Sequence, residues 1–165
     1  MKRLSGQWAA LAFAALAASH APVARAGEDY CALLAPADFL AAGVTGARAP
    51  TKNPDERGAY CIYAGKSGGT GGIEFDVFVT DGGNDAKAVY AEVRYSGGPG
   101  AAKNAVPGAD ESEVFKVAGS PPYTTIAVRK GKLVFGVSVP TGAKSQEAVT
   151  GLAKLVLQRA DKLTR

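Results

Sequence analysis

The segment Ile73–Thr80 reads IEFDVFVT and carries the most regular pattern in the chain. Its odd-numbered positions are all Ile, Phe or Val, whereas three of its four even-numbered positions are Glu, Asp or Thr. A period of two is typical of a β-strand that turns one face towards a core and the other towards solvent. The segment therefore predicts a half-buried strand, from which the rest of the fold can be worked out.

Further strand and helix patterns lie on both sides of this segment. The other predicted strands are Ala59–Ala64, Ser112–Ala118, Tyr123–Arg129 and Leu133–Val139, the last two joined by a tight hairpin turn. Helical spacing predicts short helices within Gly27–Gly46, a helix that begins near Asp85, and a closing helix over Ser145–Leu163. Ala47–Gly58 is predicted to be a polar connector and Ser96–Gly108 a loop.

This order of elements predicts the fold class. Hairpin-linked strands with helices between them are typical of an α+β domain. We expect two layers, with a mainly antiparallel sheet of about five strands covered on one face by helices. In the last strand, one face carries only the small residues Gly136 and Ser138.

The first 26 residues have the pattern of an export signal. Lys2 and Arg3 precede the apolar run Trp8–Ala18, and Ala24-Arg25-Ala26 is a small-x-small cleavage pattern. The run of about 11 residues is too short to span a bilayer. We therefore expect a signal peptide over 1–26 that is cleaved after Ala26, a single domain over 27–165, and a secreted or periplasmic product without a membrane anchor.

The composition of residues 27–165 excludes several functional classes. The single histidine, His20, lies in the predicted signal, so the usual Ser–His and His–metal sites are missing. This part of the chain has 16 basic and 15 acidic residues, a formal net charge of +1. Nucleic-acid binding needs a concentrated basic excess, so no nucleic-acid partner is expected. No cofactor and no metal are expected either.

Cys31 and Cys61 are the two cysteines of the chain. An even number in an exported chain predicts a disulfide, because the space outside the cytoplasm is oxidising. Such a bridge closes a loop of about 30 residues, which the chain-entropy model values at about 3–4 kcal/mol.

Two sets of residues are candidates for a functional site. Glu74 and Asp76 are expected on one face of their strand, roughly 7 Å apart. A pair at that separation can serve the acid–base chemistry of glycoside hydrolysis, although the plainer interpretation is a solvent-facing side of the sheet. The second set is an aromatic recognition surface on the uncovered face of the sheet, and its candidates are Tyr63, Arg94, Tyr95, Tyr123 and Arg129.

Several short motifs together resemble a family of small exported domains, mostly actinobacterial and often lipoproteins, whose biochemical function is not established. The matching motifs are Cys31-x-Leu33-Leu34, Asp38-Phe39 with Gly43, Cys61-x-Tyr63, Val106-Pro107-Gly108-Ala109-Asp110 and Val128-x-Lys130-Gly131, with a closing amphipathic helix. The chain is also similar to the extracellular sensor domain of a mycobacterial serine/threonine kinase. Such families have folds like the PsbP-like two-layer domains, which implies binding rather than catalysis. Cys31 does not stand at the position of a lipid-anchor cysteine.

These observations lead to one expected function and two alternatives. We expect an exported, non-enzymatic binding or sensor-like domain of the cell envelope, whose partner is an envelope protein or a small ligand. One alternative is a hydrolase of envelope polysaccharide that uses Glu74 and Asp76. The other is an inhibitor or partner of another exported protein.

Overall fold

The computed structural model describes residues 29–163, except residues 56, 66–71, 96–97 and 99. The predicted signal peptide, 1–26, lies outside the described residues. No helix in the described part of the chain is both long and apolar enough to cross a membrane.

In the part of the chain that the structure describes, seven antiparallel strands form one open sheet in the order β1-β2-β3-β7-β6-β5-β4. The strands are β1 Thr51–Asp55, β2 Gly58–Ala64, β3 Ile73–Val79, β4 Gly100–Lys103, β5 Glu111–Val117, β6 Tyr123–Lys130 and β7 Leu133–Pro140. The helices are α1 Pro36–Ala41, α2 Gly83–Tyr95 and α3 Ser145–Leu163, preceded by a 3₁₀ turn at Tyr30–Leu33. The predicted α+β class and the antiparallel sheet are confirmed.

The prediction of about five strands is wrong because it missed both edges of the sheet. β1 lies in the predicted connector Ala47–Gly58, and β4 lies in the predicted loop Ser96–Gly108. Every side chain of β1 is exposed, so the strand shows no alternation of polar and apolar residues. Its Pro54 is tolerated because an edge strand can leave one side of its backbone without ladder hydrogen bonds.

The sheet carries helices on both faces, which corrects the prediction of two layers with one covered face. On one face, α3 packs Val149, Leu152 and Val156 into a core that includes Phe75 and Val77 of β3. On the other face, α2 packs against β6 and β7, with Ala86 and Val89 next to Phe78 and Val134. Side chains of a strand alternate between the two faces of the sheet. Phe78 therefore lies on the face of β3 that was predicted to be polar, where α2 covers it.

The N-terminal segment is bound tightly to the α3 face of the sheet. The predicted disulfide between Cys31 and Cys61 is present, and the buried hydroxyl of Tyr63 donates a hydrogen bond to the Cys31 carbonyl oxygen at 2.9 Å. Arg159 of α3 binds both carboxylate oxygens of Asp38 at 2.6 and 2.9 Å and the Leu33 carbonyl oxygen at 2.7 Å. The hydrogen bond from Arg159 lowers the pKa of Asp38.

Candidate functional site

A groove of about 350 Å³ lies beside α2 on the face of the sheet that α2 covers in part. We call it the α2 groove. Its floor consists of residues from the three central strands, namely Glu74 and Asp76 of β3, Thr125 of β6, and Gly136 and Ser138 of β7. Its walls include Tyr60, Phe78, Glu92, Val93, Phe115 and Tyr123. The volume is at the lower end of the range for small-molecule sites.

At Gly136, no side chain projects from the floor into the groove. This residue lies opposite Asp76 in the register of β3 and β7. A Cβ atom at residue 136 would lie 3.2 Å from Cγ1 of Val93 on α2. That distance is closer than ordinary van der Waals contact, so a larger residue would push against the helix and narrow the space beside Asp76. Glycine at this position therefore allows α2 to lie close to the sheet while the carboxylate stays accessible from the groove.

The two carboxylates of the floor are half-buried and lack a counter-ion among the described residues. The prediction that Glu74 and Asp76 share one face is confirmed, since they are paired with Ser138 and Gly136 on β7. Oε1 of Glu74 is buried and accepts no hydrogen bond from the described part of the chain. Burial, with a smaller effect of the Glu74 charge, raises the pKa of Asp76 to about 7, and burial also raises the pKa of Glu74.

Hydroxyl groups and aromatic rings complete the lining. The Oγ atoms of Thr125 and Ser138 lie 2.9 Å apart and share one hydrogen bond, so a hydroxyl hydrogen of this pair is left for another acceptor. The ring of Tyr60 meets the ring of Phe78 edge to face at 5.3 Å. Burial and nearby carboxylates raise the pKa of Tyr60 and of Tyr123. Both phenols therefore stay protonated at neutral pH.

The charges that line the groove are mostly negative. Asp55, Glu74, Asp76 and Glu92 are acidic, whereas Arg57 is the one basic residue in the described lining. Arg57 is exposed and lies 3.5 Å from Oδ1 of Asp85, outside the floor. The low-dielectric walls of a cleft lined by one sign of charge concentrate its field, so the groove favours positively charged ligands.

The residues predicted as a recognition surface are dispersed in the structure. Tyr123 lines the α2 groove, whereas Tyr63 is 1% exposed and lies in the core of the opposite face, where its ring contacts Phe39 at 4.6 Å. The side chain of Tyr95 is outside the described part of the structure.

The two candidate arginines are already neutralised by carboxylates. Arg94 pairs with Glu113 at 2.7 Å and lies 4.8 Å from the centre of the Phe115 ring, which lines the groove. Arg129 pairs with Glu111 and Asp110 at 2.7 and 3.0 Å. Neither arginine is among the lining residues.

A second hollow of about 400 Å³ lies between α3 and the turn that joins β6 to β7, with Pro107 in its lining. It is open to solvent, and Nζ of Lys130 already lies 3.3 Å from a carboxylate oxygen of Asp161. None of its lining side chains is among the buried polar atoms that lack a partner in the described residues. The α2 groove is therefore the stronger candidate site.

Sequence reasoning found the two floor carboxylates and Tyr123 but missed most of the other lining residues. Phe115, Thr125 and Val93 come from three separate elements, and no short motif joins them. The one local signal was the small residues Gly136 and Ser138 on one face of their strand.

The described residues hold no group of three or more His, Cys, Asp or Glu side chains able to hold a metal ion. No protein-family model, curated protein or solved structure matches this chain.

Proposed function

We propose that this chain is an exported binding domain that holds a small ligand in the α2 groove and does not transform it. The observation that carries the proposal is the buried Oε1 of Glu74, which has no hydrogen-bond partner among the described residues and lies on the floor of a groove of about 350 Å³. A buried polar atom without a partner costs about 1–3 kcal/mol. A ligand that donates a hydrogen bond to this oxygen removes that cost.

The arrangement of the carboxylates supports binding rather than hydrolysis. Glu74 and Asp76 project from one strand onto one side of the groove. Glycoside hydrolysis needs two carboxyl groups that flank the scissile bond. The described residues also contain no histidine, so the hydroxyls of Thr125 and Ser138 have no imidazole base to activate them.

Three further observations support an exported, sensor-like role. The disulfide between Cys31 and Cys61 is typical of proteins in oxidising compartments. The pattern of residues 1–26 is that of a cleaved signal, which gives a secreted or periplasmic product without an anchor. The motifs around Cys31 and Cys61 resemble those of exported domains for which binding is expected. Within this role, an envelope protein is the alternative occupant of the groove.

Native mass spectrometry of affinity-captured protein tests this proposal. Residues 27–165 would be incubated with an extract of bacterial envelopes, recaptured, and weighed under native conditions. We expect a small-molecule adduct on the wild type that is lost from the double variant Glu74→Gln/Asp76→Asn. Glu147→Gln, at an exposed glutamate in the first turn of α3, is the matched control and should keep the adduct. Equal adducts on all three proteins, or none on the wild type, would contradict the proposal.

A polysaccharide hydrolase is the second candidate, and one observation favours it. The pKa of Asp76 is raised to about 7, which suits a general acid at neutral pH. Incubation with cell-wall glycans, followed by measurement of new reducing ends, separates the two candidates. Binding alone gives no turnover. Turnover that is lost in both Glu74→Gln and Asp76→Asn, with the fold retained, would establish the hydrolase instead.

A further inference from the structure

We infer that the ligand of the α2 groove is a small primary amine, bound as its ammonium ion by Glu74 and Asp76. Its carbon skeleton would lie against the aromatic and apolar walls. The inference rests on the proposed binding function and adds the chemical class of the ligand.

The first argument is the balance of charge. Four carboxylates and one arginine, Arg57, are found in the described lining, and the arginine already has Asp85 as a neighbour. Arg94 and Arg129 are each paired with carboxylates and lie outside the lining. An anionic ligand would meet repulsion from Glu74 and Asp76, and no described residue of the floor is a cation that would offset it. A positive ligand meets two half-buried carboxylates that have no other counter-ion in the described residues.

The second argument is the number of hydrogen-bond donors. An ionised carboxylate only accepts hydrogen bonds, and each of its oxygens has room for more than one. The buried Oε1 of Glu74 lacks a donor from the described protein. An ammonium group supplies three donors in one small head, which is enough donors for hydrogen bonds to both carboxylates. Charge-assisted hydrogen bonds of this kind are roughly twice as strong as neutral ones.

The third argument distinguishes an organic cation from a metal ion. Calcium takes six to eight oxygen ligands, and the described residues hold no group of three acidic side chains placed for one ion. The walls at Phe78, Val93 and Phe115 are apolar, and they suit a carbon skeleton. The phenol rings of Tyr60 and Tyr123 also line the groove, and aromatic faces attract cations.

Binding of an ammonium ion should depend on pH, because it requires the ionised form of Asp76. The charged or titratable groups that line the groove together with Asp76 are Asp55 and Arg57 beside the β1–β2 turn, Tyr60 of β2, Glu74 of β3, Glu92 of α2 and Tyr123 of β6. Of these, Glu74, Tyr60 and Tyr123 interact with Asp76 electrostatically. β7 contributes Gly136 and Ser138, which do not titrate. A cationic ligand stabilises the carboxylate form, so binding releases a proton. Affinity should therefore rise between pH 6 and pH 8.

Three probes of the same shape and different charge test the chemical class. They are 2-phenylethylamine, 2-phenylethanol and phenylacetate, added to ¹⁵N-labelled protein and followed through its backbone amide signals. We expect saturable shifts at Asp76, Val93 and Gly136 with the amine, at least about tenfold weaker binding of the alcohol, and no binding of phenylacetate. Calcium chloride should not displace the amine at millimolar concentrations.

Variants of single residues then assign the binding to the two carboxylates. Asp76→Asn and Glu74→Gln should each weaken amine binding about tenfold or more, and Asp76→Asn should remove its pH dependence. Glu147→Gln should bind as the wild type does. Gly136→Ala, which narrows the groove without changing its charge, should weaken the amine and the alcohol by the same factor.

The outcomes separate this inference from the proposed function. Binding of the alcohol or of phenylacetate in the groove as strongly as the amine overturns the amine class but keeps the groove as a binding site. The inference is also overturned if the amine still shifts the amide signals of both carboxylate variants. It is overturned as well if none of the three probes shifts the signals of the wild type. The capture experiment above decides the binding function independently, because it assumes no ligand class.

Discussion

The two faces of the sheet differ in how completely their polar groups are paired. On the α3 face, the hydroxyl of Tyr63 and the carboxylate of Asp38 both have hydrogen-bond partners. On the α2 face, Glu74 has a buried oxygen without a partner in the described residues, and Asp76 has no counter-ion there. A folded chain can leave such groups unpaired only where another gain compensates. This difference supports the proposal that the α2 face, and not the α3 face, is the one that binds a ligand.

The largest loss of stability is expected from substitution of Phe75, compared with substitution of Phe78 on the opposite face of β3. Phe75→Ala removes a fully buried ring from the main core and should lower the free energy of unfolding by about 3–5 kcal/mol. Phe78→Ala removes a ring from the smaller α2 cluster and should cost less than Phe75→Ala, because Phe78 has fewer buried neighbours. Urea denaturation measures both, with Phe75→Leu as a milder variant if Phe75→Ala does not fold. Equal costs would contradict the division between the faces.

Loss of the disulfide should be the next largest effect. Cys31→Ala/Cys61→Ala releases a cross-link between residues 30 positions apart, and we expect about 3–4 kcal/mol less stability. Denaturation of the variant, compared with the wild type in its oxidised and reduced forms, measures this. The groove should survive in the folded variant, because both cysteines lie on the α3 side of the sheet. Loss of ligand binding by folded variant protein would show that the two faces are coupled.

Asp76→Asn should stabilise the free protein, the opposite of what most substitutions do. Burial raises the pKa of Asp76 to about 7, above its value of about 4 in an unfolded chain. Stability of the wild type should therefore fall as the pH rises from about 4 to about 7 and stay lower above that. We expect the variant to gain about 1–2 kcal/mol at pH 8, less than full linkage because the side chain is half-buried. Thermal unfolding at pH 5 and pH 8 measures this, and a loss at pH 8 would contradict it.

Asp38→Asn should have the smallest effect and the opposite pH dependence. The hydrogen bond from Arg159 lowers the pKa of Asp38, so its contribution is present above pH 4 and lost as the pH falls through the lowered folded value. At pH 7 we expect a cost of about 1 kcal/mol, because the pair is partly exposed. The difference between the variant and the wild type should shrink as the pH is lowered below 4. A difference that stays constant throughout the acid titration would show that packing, and not charge, holds this contact.

Regular patterns in the sequence were sufficient to predict the elements that carry the core. The predicted helix Ser145–Leu163 has the same bounds in the structure, and the strand predicted at Ile73–Thr80 is one residue shorter. These segments have one buried side, so their periodicity is visible in a single chain. β1 could not be found in this way, because all of its side chains are exposed and no period appears.

The site was harder to predict than the fold because it depends on contacts between distant residues. The shared face of Glu74 and Asp76 follows from the period of β3 alone. Thr125 and Ser138 reach the same floor only through the pairing of β6 and β7 with β3. The apolar residue at position 78 was the available signal that a helix covers this face, and its significance was missed.

The pairing of β3 with β7 also affects the order in which the protein can form. β3 ends at residue 79, and its neighbour β7 begins at residue 133, so more than fifty intervening residues must be synthesised before this edge is covered. A nascent chain that stops short of residue 133 exposes an apolar strand edge, which is a template for aggregation. Such long-range closure slows folding. We therefore expect the groove floor, which lies across this same junction, to form only after β7 has paired with β3.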